Sequence, residues 1–236
     1  MTQPVHSAQG EDRSSFQEVQ PWTADSFGFA KATEGTTWTD PTFGANWSAL
    51  HDEGKPRGAY HFFHPELDPV EQANFFLSVV REKGMKPHDM LVVDSELLAG
   101  SGGELLAGSG GLQSGLPDGM IRANVPVSGV ALPSADLVGS GTLKFMETVG
   151  QLLGAHRARH PLIVYTSLSV GAHLGSCTHF DLWIASWSDT APASVAPWPS
   201  WRFWQWGSGG GPGGGDRDAY NGTEADLHAW LSSFAS

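Results

Sequence analysis

The sequence predicts a parallel β/α architecture folded as a single domain, on three observations. Short apolar segments alternate with amphipathic stretches along most of the 236 residues. Two of those stretches open on an Asp-Pro pair, the signature of a helix cap followed by proline in the first turn. No linker divides the elements into two sets, so residues 1–236 are read as one domain.

The elements follow in order. Residues 27–32, Phe-Gly-Phe-Ala-Lys-Ala, form the first expected strand. Asp40-Pro41 starts a helix that carries Phe43, Trp47 and Leu50 at helical spacing and stops at Gly54. Residues 58–63 are a second strand. Asp68-Pro69 starts a second helix, with Val70, Ala73, Phe76, Leu77 and Val80 on one stripe ending at Gly84. Residues 90–93 are a strand that runs straight into Asp94-Ser95-Glu96. A helix over 142–159, strands at 162–165, 181–185 and 202–206, and a helix over 224–234 complete the series.

Two stretches break the rhythm. Residues 97–141 are rich in glycine, serine and leucine, and overlap a tandem repeat in which Glu96-Leu-Leu-Ala-Gly-Ser-Gly-Gly is followed at once by a second copy from Glu104. Two eight-residue copies are too few and too short for a solenoid, so this is a local duplication within a surface insert. Residues 207–215, Gly-Ser-Gly-Gly-Gly-Pro-Gly-Gly-Gly, read either as a flexible linker or as a loop that delivers Asp216 to a site.

Composition narrows the function classes. The net charge of −12 argues against a nucleic-acid partner, because phosphate binding needs a basic surface. No run of eighteen apolar residues is present, so no membrane insertion is expected. The N-terminus has neither the basic start nor the apolar stretch of a secretory signal, and the lone Cys177 fits a reducing compartment of synthesis. Six of the ten tryptophans lie between residues 183 and 206. Indole faces suit a sugar ring as well as a core, and most of these are read as structural, with one or two, Trp183 among them, lining a groove.

Asp94 and Glu96 are the sharpest chemical feature. Residues i and i+2 on a strand project to the same side, and C-terminal strand ends form the active face of a parallel barrel. Two carboxyls held close together do not both ionise freely, and an acid beside a carboxylate is what glycosidic cleavage needs. Spacing alone leaves a pair of solvated loop carboxylates as the alternative. Asp12, Glu34, Asp181 and Asp216 could join the same face; singly each reads as a cap or an ion pair, together as an acid-lined groove for a polysaccharide. Rival chemistries fail. There is no His-Glu-x-x-His motif, no Gly-Lys-Ser/Thr phosphate loop, no nucleophile elbow around Ser101 and no catalytic context for Cys177, so neither metal nor cofactor is expected.

The ordered segments resemble glycoside hydrolase family 25, the Chalaropsis-type lysozymes common among bacteriophage endolysins. The matching segments are Gly10-x-Asp12-x-Ser14-Ser15-x-Gln17, Phe29-Ala-Lys31-Ala-Thr-Glu-Gly35 with Asp40-Pro-x-Phe43, and Gly58-Ala-Tyr-His-Phe-Phe63. They continue through Asp94-x-Glu96, Pro161-Leu-Ile-Val-Tyr165-Thr, Asp181-Leu-Trp-Ile-Ala185, Trp204-Gln205-Trp-Gly and Asp216-Arg-Asp218-x-Tyr-x-Gly222. The resemblance implies an irregular TIM-like β/α barrel with eight strands and a reduced number of helices. It implies a lysozyme that hydrolyses the β-1,4 bond between N-acetylmuramic acid and N-acetylglucosamine of peptidoglycan with retention. By position, Glu96 matches the general acid/base and Asp94 the companion carboxylate, which stabilises developing positive charge or orients the substrate acetamido group. Asp12 and Asp216 match further acids of the site, and Tyr60, Tyr165, Asp181 and Gln205 match groove positions.

Two departures stand out. Glu11 and Arg13 flank Asp12 where the family usually has an apolar residue and valine, so Arg13 would hold Asp12 ionised if their side chains meet. The insert directly after Glu96 reads as a lid or rim, or as a disordered loop. A monomeric enzyme is expected, made without a signal peptide and acting on the bacterial wall after release, as an endolysin does, with a secreted bacterial enzyme as the other route. The alternatives for function are a catalytically retired barrel serving as a wall-binding or virion-structural protein, and a hydrolase of another N-acetylated polysaccharide such as chitin.

Overall fold

The computed structural model describes residues 7–96, 98–99, 105–106 and 133–234. In chain order the elements are β1 (Gln9–Arg13), β2 (Phe27–Glu34), β3 (Trp38–Thr39), α1 (Phe43–Asp52), β4 (Arg57–Phe62), α2 (Pro69–Glu82), β5 (Met90–Asp94), β6 (Leu98–Ala99), β7 (Leu105–Leu106), α3 (Ala135–Leu153), β8 (Leu162–Ser167), α4 (Leu168–Gly171), β9 (Asp181–Ala185), β10 (Phe203–Gly207), β11 (Asp216–Tyr220) and α5 (Glu224–Ser232). Eight strands close into a barrel in the order β1-β11-β10-β9-β8-β5-β4-β2, with β2 returning to β1 and β3 extending β2 outside the ring. Seven run parallel; β11 runs antiparallel to both of its neighbours, β10 and β1. The expected eight-stranded irregular barrel with few helices is what forms.

Strand alternation builds two cores. Phe27, Phe29, Tyr60, Met90, Val92, Ile163, Tyr165, Trp183, Phe203 and Tyr220 fill the barrel, which Leu227 and Leu231 of α5 close from below. Their outward-facing neighbours, such as Ala30, Ala59, Leu91, Val93, Val164 and Leu182, pack under α1, α2 and α3. Inside, Phe29 stacks on Trp183 with ring centroids 4.2 Å apart. This large pair fits because Gly58 lies beside Phe29: a Cβ there would overlap the ring.

Helix starts match expectation in part. Asp68 caps α2, accepting from the N–H groups of Val70 and Glu71, with Pro69 in the first turn. Asp40 acts one step removed: Thr42 is the cap residue of α1, and Asp40 accepts from the Thr42 N–H and hydroxyl and from Ser15 N–H. The third long helix begins at Ala135, not at residue 142, capped by Ser134 with Asp136 in its first turn. Its opening turns carry Gly139 and Gly141, which read as loop but are needed for close packing. A Cβ at Gly139 would sit 2.9 Å from the His173 carbonyl oxygen, and one at Gly141 2.9 Å from Phe63 Cζ. The helix also stops sooner than expected, with residues Gly154–Arg159 tightening into a 3-10 turn. The insert therefore overlaps α3 over residues 135–141. Most of it, with its expected role as lid or loop, lies outside the described residues; the two repeat copies meet where Leu98 pairs with Leu106 and Ala99 with Leu105.

Overpacking in the barrel interior gives a direct test. Gly58→Val should lower stability by about 2 kcal/mol, read as a lower urea midpoint with an unchanged denaturant slope.

Candidate active site

Seven parallel strands, β1, β2, β4, β5, β8, β9 and β10, bring their C-terminal ends to one rim, and β11, running the other way, brings its beginning there. Asp12 thereby lies directly across from Asp216, Asp218 from Gln205, and Asp94 from Tyr165. Glu96 follows two residues after Asp94, just past the end of β5. Asp12, Asp94, Glu96 and Asp216, expected as site residues, are thus brought to one rim, and Asp218 joins them.

Gln205 ties the acids together. Its Nε2 donates to Asp12 Oδ2 at 2.7 Å and reaches Asp216 Oδ2 at 3.4 Å. Its Oε1 accepts from Tyr165 hydroxyl at 2.9 Å and from Trp187 Nε1 at 3.0 Å. Asp216 is fixed from its other side by the Gly209 N–H at 2.6 Å. Below this layer Trp183 Nε1 donates to Asp218 Oδ1 at 2.8 Å. Trp183 is 2% exposed, so it forms the floor under the acids instead of lining an open groove. Tyr60 and Tyr165 are buried beside it, at 6.3 and 4.5 Å between ring centroids.

Burial and mutual repulsion push this cluster toward protonation. Desolvation, then the Asp216 charge, holds Asp12 well above the usual carboxylate range. Desolvation and Asp12 do the same to Asp218. Their proximity acts in opposite senses, lowering Asp12 and raising Asp218. Asp218 Oδ2 is buried without a hydrogen-bond partner among the described residues. Desolvation pushes Asp94 up, reinforced by the Glu96 charge. Glu96 rises to about 7 through desolvation, with Lys31 opposing and Asp216 adding to the rise. Asp94 and Glu96 titrate as a pair that retains a proton well above the ordinary carboxylate range. Asp94 Oδ1 and Glu96 Oε2 are buried without a hydrogen-bond partner among the described residues.

Lys31 supplies positive charge to the pair. Its Nζ is held 2.8 Å from Glu34 Oε2 and lies over the Phe62 and Trp38 rings. Glu34 in turn contacts His64 Nε2 at 3.0 Å, and His64 Nδ1 contacts Glu66 at 2.9 Å. Burial works against the Glu34 charge, but the His64 hydrogen bond and Lys31 outweigh it and hold Glu34 at about 2. The two carboxylates likewise overcome burial at His64 and raise it to about 9.

Two expectations need correction. Asp181 is the first residue of β9, which runs parallel to its neighbours, so it lies at the opposite end of the barrel from the acids and pairs with Arg202 Nε at 2.9 Å. Arg13 does not meet Asp12: alternation along β1 sends Glu11 and Arg13 to the other face, where they pair with each other at 3.0 Å. Sequence reasoning also missed Lys31, Trp187 and Asp218 as site residues. Trp187 sits two residues past the end of β9, a position from which a rim residue is expected once the strand is assigned.

The raised Glu96 has a stability consequence. An acid whose folded value of about 7 exceeds its ordinary 4.5 costs stability as pH rises through that window, with the full cost above it. Glu96→Gln removes the cost. Its melting temperature should exceed wild type by a few degrees at pH 8, corresponding to about 1–3 kcal/mol, and the gain should vanish near pH 4. Equal melting curves at pH 8 would refute the buried-acid description.

A match to the family model for glycosyl hydrolases family 25 spans residues 7–214. Lysozyme M1 of Streptomyces globisporus is 28% identical over 249 aligned residues, covering 96% of this chain and 72% of that protein. The crystal structure of a bacterial lysozyme from Streptomyces coelicolor superposes with a TM-score of 0.71 at 26% identity, covering 98% of this chain and all of the other. A family 25 glycosyl hydrolase from Bacillus anthracis shares the fold, with a TM-score of 0.71 at 22% identity over 97% of this chain and 95% of its own. With its closed eight-stranded barrel and its acids gathered at one rim, this chain belongs to glycosyl hydrolase family 25.

Proposed function

We propose that the protein is a lysozyme that cleaves the β-1,4 bond between N-acetylmuramic acid and N-acetylglucosamine in peptidoglycan, with retention of configuration. The observation that carries the reading is Glu96, held protonated up to about neutral pH beside Asp94 on the acid rim of a family 25 barrel. Glu96 donates its proton to the leaving glycosidic oxygen and afterwards takes one from the incoming water. Asp94 is the companion carboxyl for the positive charge that develops on the sugar ring. It either stabilises that charge directly or orients the substrate's acetamido group. Asp12, Gln205 and Asp216 form the opposite wall, where the carboxylates and the amide hold the glycan in the orientation the transition state requires, and Tyr60 and Tyr165 support that wall from within the barrel.

The same reading extends to how the protein works in its setting. It acts as a monomer on the bacterial wall after release from the cell that makes it, in the manner of an endolysin. Among the described residues no helix is long and apolar enough to cross a membrane.

Two measurements test the activity. Purified cell walls should clear with wild type and not with Glu96→Gln, whose rate should fall at least about a hundredfold, as expected for loss of a general acid. New reducing ends should carry muramic acid by mass spectrometry. Equal clearing by both proteins would remove Glu96 from the mechanism, glycan binding without cleavage would make the barrel a wall-binding protein, and N-acetylglucosamine ends from chitin would change the substrate.

The pH profile carries a sign of its own. Wild-type turnover should fall as pH rises through about 7, where Glu96 loses the proton it must donate. A rate that climbs through that window would assign the acid role to a different group.

A further inference from the structure

The face of β1 opposite Asp12 carries a buried charged assembly that the proposed chemistry does not use. Glu11 and Arg13 are 0% and 1% exposed. Arg13 Nε donates to Glu11 Oε2 at 3.0 Å and its Nη2 to Asp25 Oδ2 at 3.2 Å. Its Nη1 donates to the Gln20 carbonyl oxygen at 2.8 Å, and the guanidinium lies 3.6 Å from the centre of the Trp22 ring. A buried ion pair contributes little net stability on its own, so the partners of its remaining lone pairs say what it holds.

Those partners are the backbone of the glycine-rich segment between β10 and β11. Glu11 Oε1 accepts from the Gly213 N–H at 2.8 Å, and Glu11 Oε2 accepts from the Gly215 N–H at 3.0 Å. The segment closes on itself through Gly211 N–H to the Gly215 carbonyl at 3.1 Å and Gly214 N–H to the Gly211 carbonyl at 3.0 Å. Glycine is required at the points of approach. A Cβ at Gly211 would overlap the Glu11 carboxyl, one at Gly213 the Arg13 guanidinium, and one at Gly215 the Asp12 carbonyl oxygen. Gly209 and Gly214 adopt positive φ of 60° and 84°. The composition of a flexible linker thus folds here as an ordered strap laid over a charged pair.

We propose that Glu11, oriented by Arg13, is a positioning residue that clamps the Gly209–Gly215 strap and through it sets Asp216. The path is short: Glu11 holds Gly215, Gly215 precedes Asp216, and Gly209 at the strap's other end donates to Asp216 Oδ1 at 2.6 Å. Asp216 and Asp12 then meet at Gln205. Loss of the clamp frees the strap, and Asp216 drifts from the geometry that the rim requires. The functional half of this inference rests on Asp216 belonging to the active site; the structural half does not.

Hydrogen exchange and kinetics separate the two halves. Glu11→Gln preserves shape but leaves a neutral, single-oxygen acceptor for the two amides. Gly213→Ala disturbs the clamp from the strap's side, by a Cβ against Arg13, with Glu11 itself unchanged. In both variants the amides of the 209–216 segment should exchange at least about tenfold faster than in wild type, while barrel-strand amides keep their protection. On soluble glycan fragments kcat should fall about 10- to 100-fold with KM within about twofold, the signature of a misplaced group and not of lost binding. Asp216→Asn serves as the comparator for the site itself. Wild-type exchange of the strap in both variants would overturn the clamp. Faster exchange with wild-type kcat would overturn its role in positioning Asp216. Wild-type kcat in Asp216→Asn would remove Asp216 from the site, and with it the functional half of the inference, whatever exchange shows.

Discussion

One strand of the barrel runs against the other seven, and the acid rim depends on its direction. In a wholly parallel ring, Asp216 and Asp218 of β11 would lie at the bottom, at the opposite end of the barrel from the end of β5. Because β11 runs antiparallel between β10 and β1, its first residues arrive where its neighbours finish. The reversal also removes the need for a crossover helix on that side, so residues 208–215 suffice to turn the chain. Fewer helices and a denser rim are thus two results of the same topology.

The density has an electrostatic cost that the interior is arranged to contain. Asp12, Asp94, Glu96, Asp216 and Asp218 all lie where burial disfavours their charge. The chain relieves this by the Gln205 amide on Asp12, by the Gly209 N–H on Asp216, and by the Lys31 charge near Asp94 and Glu96. Against burial, the Arg217 charge also lowers Asp216. Lys31 is itself kept from direct pairing with Asp94 or Glu96 by Glu34, whose own charge is secured by His64. The result is a graded potential across the rim, with a stable anion at Glu34 and retained protons at the centre.

Much of this was readable from the amino acids, for physical reasons that also explain the failures. β2, β4, β5, β8 and β9 are buried on both faces, so their sequences are apolar runs that announce strands. β1 and β11 read Gln-Gly-Glu-Asp-Arg and Asp-Arg-Asp-Ala-Tyr, and neither looks like a strand. Both are polar because one face meets the acid rim and β1's other face meets the strap. Position within a strand was the harder problem. Asp181 shares the acid-near-tryptophan context of the site residues, yet stands at a strand's start, and only strand direction separates the two ends. The Asp94–Glu96 pair was visible as a spacing; that Asp12 lies across from Asp216 depends on β1–β11 register, which no local pattern encodes.

That same register shapes how the chain can fold. β1 is the first strand made and β11 the last, and the ring closes only when they pair. Until then a growing sheet of parallel strands has two open edges, one of them β2 before β1 docks, and its hydrophobic interior is uncovered at the seam. Contacts this distant in sequence are slow to form because a long loop must close first. Synthesis therefore releases an incomplete barrel for as long as β11 is missing, and the polar sequences of β1 and β11 are well suited to that interval, since exposed strands of charge and glycine pair poorly with strangers.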